Sequence, residues 1–387
     1  MSSIRKRPNG AWRARYRDPD GREHARHFAR KVDAQTWLDE ATAAIVTGQY
    51  ASPAAGRVTL GEFYRPWAAR QVWAPGTAKA VDLAVRDSGL DGVALGTLRR
   101  SHIEAWVKRM DGRGLAASTI RTRVTNLRVV LRAAVRDRVI PSDPADGVTL
   151  PRRRRRDAAM TIPTPAEVGA MLAAAGPFAV AVALAAFAGL RVGEICGLQV
   201  GDVAFLTRAI RVRRQVQRAG GGEASVRAPK AASERDVHAP DELMALLGRH
   251  VGEHRPGSDP ARWLLVTDDG RPLTQDTARH LWDATRAAAE EARVAALRPG
   301  ADSGMPLSGH RFHDLRHYYA SGLIASGCDV VTVQRALGHA SPTITLSTYA
   351  HLWPSAEDRT RTAAAGLMTA ALAAGEARAD SLRTGEA

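Results

Sequence analysis

At 387 residues the chain exceeds one compact domain, and about 150 residues per domain sets an expectation of two or three. Its 55 Lys and Arg against 40 Asp and Glu leave a formal net charge of +15, which favours polyanionic partners, nucleic acid before anionic membrane, and says nothing of fold. With 45% hydrophobic and 25% charged residues the chain can build real cores, so wholesale disorder and fibrous classes are excluded.

The basic start, Met1 to Gly10, is followed by no apolar stretch, so no signal peptide is expected. Three strands are predicted, Ser2 to Arg7, Ala11 to Arg17 and Arg22 to Phe28, separated by turns at Pro8-Asn9-Gly10 and Asp18-Pro19-Asp20-Gly21. In the middle strand Trp12, Ala14 and Tyr16 alternate with Arg13, Arg15 and Arg17, so aromatics and guanidiniums fall on opposite faces. A helix follows from Lys31 to about Val46, giving residues 1–55 a three-stranded sheet backed by one helix. The Arg face reads either as a solvated sheet surface or as a sheet that reads a DNA groove.

Residues 58–150 are helical by pattern, over Leu60 to Trp73, Thr77 to Ser88, Ser101 to Met110 and Ala116 to Asp137. In the last, Ile120, Val124, Leu127, Leu131 and Val135 form one apolar stripe, with Arg121, Arg128, Arg132 and Arg136 off it. A helical bundle with a basic side is expected. Pro141, Pro144 and Pro151 close it, and residues 151–162 form a linker whose Arg152 to Arg156 run suits phosphate contact.

Residues 163–354 open with an uncharged, Ala-rich stretch between Glu167 and Arg191. Gly176-Pro177 interrupts it, so it reads as two buried helices rather than a membrane span. A strand pair is predicted over Ala209 to Gln217 and Ala224 to Lys230, joined by Gly220-Gly221-Gly222, with a further strand at Arg235 to His238 and helices beyond. Cys196 and Cys328 lack disulfide or metal-ligand spacing, so they read as core residues of a chain in the reducing cytoplasm. Residues 355–387 are Ala-rich and weakly amphipathic, then polar. The fold class expected is mainly α with small β-sheets (α+β).

A basic protein without a metal site that acts on a phosphodiester needs a nucleophile, cations for the nonbridging oxygens and a proton donor for the departing oxygen. Residues for each role lie after residue 163. Gly189-Leu190-Arg191-Val192-Gly193-Glu194 places an arginine where a buried helix ends. His313-Asp314-Leu315-Arg316-His317 puts His313 and Arg316 on one helical face. Ala336-Leu337-Gly338-His339 follows, and Tyr349 comes ten residues after that histidine.

These boxes resemble those of the tyrosine recombinases, the phage-type integrases. The family's Gly-x-Arg-x-x-Glu box is matched by Arg191 with Glu194, its hairpin lysine by Lys230, its His-x-x-Arg box by His313 with Arg316, its Leu-Gly-His box by His339, and its nucleophile by Tyr349. Ala188 and Ala231 depart from the threonines common in relatives. The resemblance implies that Tyr349 attacks the scissile phosphate to form a 3′-phosphotyrosine, releasing a 5′-hydroxyl that later attacks a partner strand, with no cofactor or metal. Arg191 and Arg316 would clamp phosphate oxygens in bidentate fashion. Lys230 would protonate the leaving oxygen, His313 would assist as acid or base, and His339 would hydrogen-bond a nonbridging oxygen. Glu194 would orient a neighbouring side chain rather than touch DNA.

The same resemblance implies a helical core-site-binding domain at 58–150, an arm-type DNA-binding domain at the N-terminus and a catalytic domain at 163–354. It also implies double-stranded DNA as partner, a synaptic homotetramer, and a directionality factor and host DNA-bending protein as helpers, with no membrane. Two rivals stand beside it. One is a catalytically silent DNA-binding relative; the other is a zinc hydrolase using His313 and His317 at i and i+4, against which Asp314 replaces the glutamate base and Arg316 sets positive charge beside the cation.

Overall fold

The computed structural model describes residues 2–19, 21–47, 50–52, 54–151, 160–218, 224–229, 233–296, 306–353, 360–361 and 364–373. Lys230, the Arg152 to Arg156 run, the Gly220 to Gly222 turn and much of the C-terminal tail lie outside them. The chain divides into two compact units, Met1–Ala159 and Met160–Ala387.

In the first unit β1 (Ser3–Lys6), β2 (Trp12–Arg17) and β3 (Glu23–Phe28) form an antiparallel sheet in sequence order. Its register sets Ile4 and Arg26 on either side of Ala14. Ala14 and Tyr16 are buried with Ala34 and Leu38 of α1 (Lys31–Val46), and Trp37 packs on Tyr16 with ring centroids 5.0 Å apart. The period of two thus sorts the strand as its sequence demands. On the other face Glu23 reaches Arg15 at 3.3 Å and Arg13 at 3.5 Å, which tempers that face's positive charge.

The bundle comprises α2 (Leu60–Ala69), α3 (Pro75–Ser88), α4 (Arg100–Gly112) and α5 (Ala117–Arg136). Thr59 and Glu62 cap α2 reciprocally, and Pro75 starts α3 where a missing N–H costs nothing. The sequence carries α2 to Trp73, but the helix stops at Ala69. Trp73 instead folds back edge-on to Trp67 at 5.2 Å. Ile120, Val124, Leu127 and Leu131 of α5 are buried, as their spacing requires. Its basic side is less free than the sequence implies, because Arg128 bonds Asp143 at 3.0 Å and Asp146 at 2.9 Å while Arg123 reaches Asp87 at 2.8 Å.

The second unit runs α6 (Pro165–Ala174), α7 (Ala179–Ala188), α8 (Val192–Cys196), β4 (Val203–Ala204), β5 (Ala209–Val212), β6 (Gln215–Arg218), β7 (Ala224–Arg227), β8 (Arg235–His238), α9 (Asp241–His254), α10 (Gln275–Ala295), α11 (Phe312–Ala325), α12 (Val330–Leu337) and α13 (Pro342–Tyr349). Val180 to Ala186 of α7 are buried throughout, which is why an uncharged Ala-rich segment can sit at the centre of the main core. A second, small core gathers Ala320 and Ile324 of α11, Val333 and Leu337 of α12, and Tyr349. Cys196 is buried and Cys328 half-buried.

The single strand predicted over Ala209 to Gln217 is two. β5 pairs with β4 and β8, whereas β6 pairs with β7 in a separate ribbon. The break falls at Arg213 and Arg214, where Arg214 turns to the buried Asp202 at 2.5 Å. A Cβ at Gly197 would lie 2.9 Å from the Arg214 carbonyl, so the end of α8 packs directly on this break. Among the described residues no helix is long and apolar enough to cross a membrane.

Leu127 is fully buried in the bundle. Leu127→Ala is expected to lower stability by about 2–5 kcal/mol. Arg121→Ala, on the exposed side of the same helix, should change it by less than about 0.5 kcal/mol. Denaturant titration of both variants checks the contrast.

Candidate active site

Two helix ends and one buried carboxylate build the site. α7 ends at Gly189 with φ +63°, and α12 ends at Gly338 with φ +60°. Both positions need glycine for a second reason. A Cβ would lie 2.3 Å from the Tyr319 ring at Gly189 and 2.8 Å from Arg235 Nη1 at Gly338. The left-handed turns send the chain at once into Arg191 and His339.

Arg316, one turn into α11, is 1% exposed and donates from Nη1 to the Gly189 carbonyl and from Nη2 to the Leu337 carbonyl. Its charge therefore lies at the C-terminal ends of both α7 and α12, where carbonyls lack helical partners and the helix field favours a cation. Burial, then the nearby Arg191 charge, pull its pKa down to about 9, which still leaves it cationic at neutral pH.

Glu194 is buried in the short α8 and binds two arginines. Arg191 donates from its backbone N–H at 2.9 Å and from Nη1 at 2.8 Å. Arg235, from β8, donates from Nη1 at 3.2 Å and Nη2 at 3.0 Å. Burial alone would raise the Glu194 pKa, but the Arg235 hydrogen bonds and charge, followed by Arg191, hold it below the ordinary carboxylate value. Arg191 Nη2 continues to the Gly338 carbonyl at 3.1 Å, and Arg235 Nε to the Ala336 carbonyl at 3.1 Å. The orienting role expected of Glu194 thus has a direct geometric form.

His339 bonds Thr345 of α13 through Nδ1 at 2.9 Å. Burial and then the charges of Arg316, Arg191 and Arg235 pull its pKa down to about 4, so its ring is neutral. Tyr349, in the last turn of α13, is 1% exposed. Burial pushes its phenol up to about 12 against the opposing pull of Arg316 and Arg191. Its hydroxyl lies 2.7 Å from Nδ1 of His317.

His313 is exposed on the first turn of α11, with its ring edge-on to His317 at 4.9 Å. Desolvation by neighbouring protein atoms, then the positive fields of His317, Arg316 and Arg191, bring its pKa down to about 4. Tyr318 packs edge-on to Phe187 and Tyr319 lies beneath Gly189, whereas His317 contacts the phenol oxygen itself. Among the described residues no group of three or more His, Cys, Asp or Glu side chains joins His313 and His317 into a metal-binding set. Arg191, Arg316, His313, His339 and Tyr349 are all carried by the elements that meet around Glu194 and Arg316. Lys230 falls between β7 and β8, outside the described residues. Sequence reasoning missed Arg235 and His317. The signals available were Arg235 at the end of the Lys230 motif and the i, i+4 spacing of His317 from His313.

Clustered arginines, neutral histidines and a buried phenol thus meet at converging helix ends. The Phage integrase family model matches residues 165–355, and the model of the phage integrase N-terminal domain matches residues 2–47. A putative prophage phiRv2 integrase of Mycobacterium tuberculosis is 28% identical over 351 residues, covering 87% of this chain and 88% of the relative. Tyrosine recombinase XerC of Mycobacterium sp. (strain JLS) is 30% identical over 282 residues, 69% of this chain and 82% of the relative. The fold is shared with the Tn1549 transposon integrase solved with transposon right end DNA, at 21% identity and TM-score 0.67 over 80% of this chain and all of that one. It is shared also with a lambda integrase dimer bound to a COC′ core site, at 18% identity and TM-score 0.55 over 89% and 93%. The chain belongs to the phage integrase family of tyrosine recombinases and is a site-specific DNA recombinase.

Glu194→Gln should destabilise the domain by about 3–5 kcal/mol at pH 7, since it leaves two arginines facing an uncharged partner. Because the Glu194 pKa is lowered on folding, its contribution is full above the unfolded carboxylate pKa and is lost as pH falls through the folded one. The stability gap between wild type and variant is therefore expected to narrow in acid, measured by denaturant unfolding at pH 7 and near pH 3.

Proposed function

We propose that this recombinase cuts and rejoins attachment-site DNA through a 3′-phosphotyrosine on Tyr349, integrating or excising a phage or mobile element. The observation that carries the reading is the gathering of Arg191, Arg316, His339 and Tyr349 around the ends of α7 and α12. In this scheme Tyr349 Oη forms a bond to phosphorus as the bond to the 5′ oxygen breaks. Arg191 and Arg316 stabilise charge on the nonbridging oxygens, His339 donates to one of them, His313 assists proton movement and Lys230 protonates the leaving oxygen. The reverse attack by a 5′-hydroxyl restores the phenol, so bond energy is conserved and no cofactor is needed.

The segment assignments follow: residues 58–150 and 163–354 grip the core site, 151–162 link them across phosphates, and the sheet of residues 1–55 binds arm sites. The N-terminal family match at residues 2–47 supports the last. Double-stranded DNA is the partner, a homotetramer the synaptic form, and a directionality factor and a DNA-bending protein the helpers. Residues 355–387 dock on a neighbouring protomer; the helix over 364–373 supports this by exposing Leu367, Met368 and Leu372. Unchanged tetramer assembly after deletion of 355–387 would remove that assignment.

The central test uses a nicked duplex carrying the inverted core repeats beside the coding region. Wild type should form a covalent, protease-sensitive adduct in EDTA, and Tyr349→Phe should bind without linking. A metal requirement, or an adduct in Tyr349→Phe, overturns the reading. Arg191→Ala should depress cleavage far more than binding; equal losses would make it an ordinary phosphate clamp. Lys230→Ala should slow cleavage by about 10²–10⁴-fold with the natural 5′ oxygen, and far less with a bridging 5′ sulfur, which departs without a proton.

A further inference from the structure

We propose that His317, rather than His313, is the group that accepts the proton of the Tyr349 hydroxyl when the phenol oxygen attacks phosphorus. The inference rests on the phosphotyrosine reading and names a catalytic residue that the family's motif boxes leave unassigned.

Three observations lead to it. The contact is direct: His317 Nδ1 stands 2.7 Å from Tyr349 Oη, within reach for proton transfer without rearrangement. Tyr349 is 1% exposed, so bulk water has little access to its hydroxyl. His313 instead lies exposed at the start of α11, one turn away, where it faces the edge of the His317 ring. Of the two histidines, the outer one is open to solvent and the inner one contacts the phenol oxygen.

The groups around His317 are Tyr349 on α13 and His313, Asp314 and Arg316 on its own helix. Desolvation lowers the His317 pKa, Asp314 opposes this and Arg316 adds to it, and the net shift leaves a neutral ring. A neutral ring protonated on Nε2 offers the Nδ1 lone pair to the hydroxyl. The phenol is held up at about 12, so at neutral pH it keeps its proton until attack and needs an acceptor at that moment.

The step balances within the site. The Oη–P bond forms, the P–O5′ bond breaks, the hydroxyl proton passes to His317 Nδ1, and the departing O5′ takes a proton from the acid assigned to Lys230. Religation reverses each transfer, and the imidazolium returns its proton to the phenol. The transient imidazolium is stabilised by Asp314, whose field favours charge on His317.

Single-turnover cleavage of the nicked core-repeat duplex, measured from pH 5.5 to 10 at saturating protein, tests this. Wild type should show a rate flat above about pH 7.5, where even an ordinary histidine is largely neutral. His317→Asn retains a hydrogen-bond acceptor near the Nδ1 position but no basic nitrogen. It should bind the duplex normally, cleave about 10²–10⁴-fold more slowly, and speed up through the alkaline range as hydroxide replaces the missing base. His317→Ala should behave alike and recover rate with added imidazole. His313→Asn should slow cleavage while keeping the flat profile. A His317→Asn protein with the wild-type rate, or slowed with a still-flat profile, overturns the proton-accepting role. No adduct from wild type would instead overturn the phosphotyrosine reading on which it stands.

Discussion

The second unit depends on one buried guanidinium. Arg316 is out of contact with bulk water, and an isolated charge there would be prohibitively unstable. Its compensation comes from two helix C-termini, each presenting a carbonyl with no partner in its own helix. The bond to Gly189 fixes the end of α7 and the bond to Leu337 fixes the end of α12, so one side chain joins segments more than a hundred residues apart. Arg191 and His339 emerge from those same ends. The placement of Arg191 and His339 is thus a by-product of how the fold solves a buried-charge problem.

Glu194 solves a complementary problem beside it. A buried carboxylate with two arginine partners fixes how Arg191 is presented, while Arg235 fastens β8 to the α12 end. Much of the protein's basic character works in this internal way. Arg123, Arg128, Arg214 and Arg235 each answer a buried or half-buried carboxylate. The net positive charge therefore overstates the number of arginines available to an external polyanion, and the free ones are correspondingly more local.

What the sequence shows plainly is what is encoded over short distances. The alternation in β2, the four-and-three spacing in α5 and the Gly-Pro break between α6 and α7 all report local geometry, and their elements stand where expected. The motif boxes are equally local, each a few residues with its glycine at a helix end. What stayed hidden depends on distant partners. His317 gains its meaning from a tyrosine 32 residues on, and Arg235 from a carboxylate 41 residues back. The split between β5 and β6 has the same origin, because Arg214 obeys Asp202 rather than the β propensity around it. Periodicity cannot report such bonds, since nothing in the intervening chain repeats.

The separate small core of α11, α12 and α13 has a consequence for the order in which the domain loosens. Tyr349 belongs to that satellite cluster and not to the large one around α7. Cooperative opening follows contiguous packing, so a cluster of a few apolar side chains opens at a fraction of the global free energy. Backbone amides of α12 and α13 are therefore expected to exchange with solvent through a subglobal event, and those of α7 only on unfolding of the whole unit. Tyr349 is thus mounted on the smaller packing cluster, whereas Arg191 emerges beyond the end of α7, a helix of the larger one.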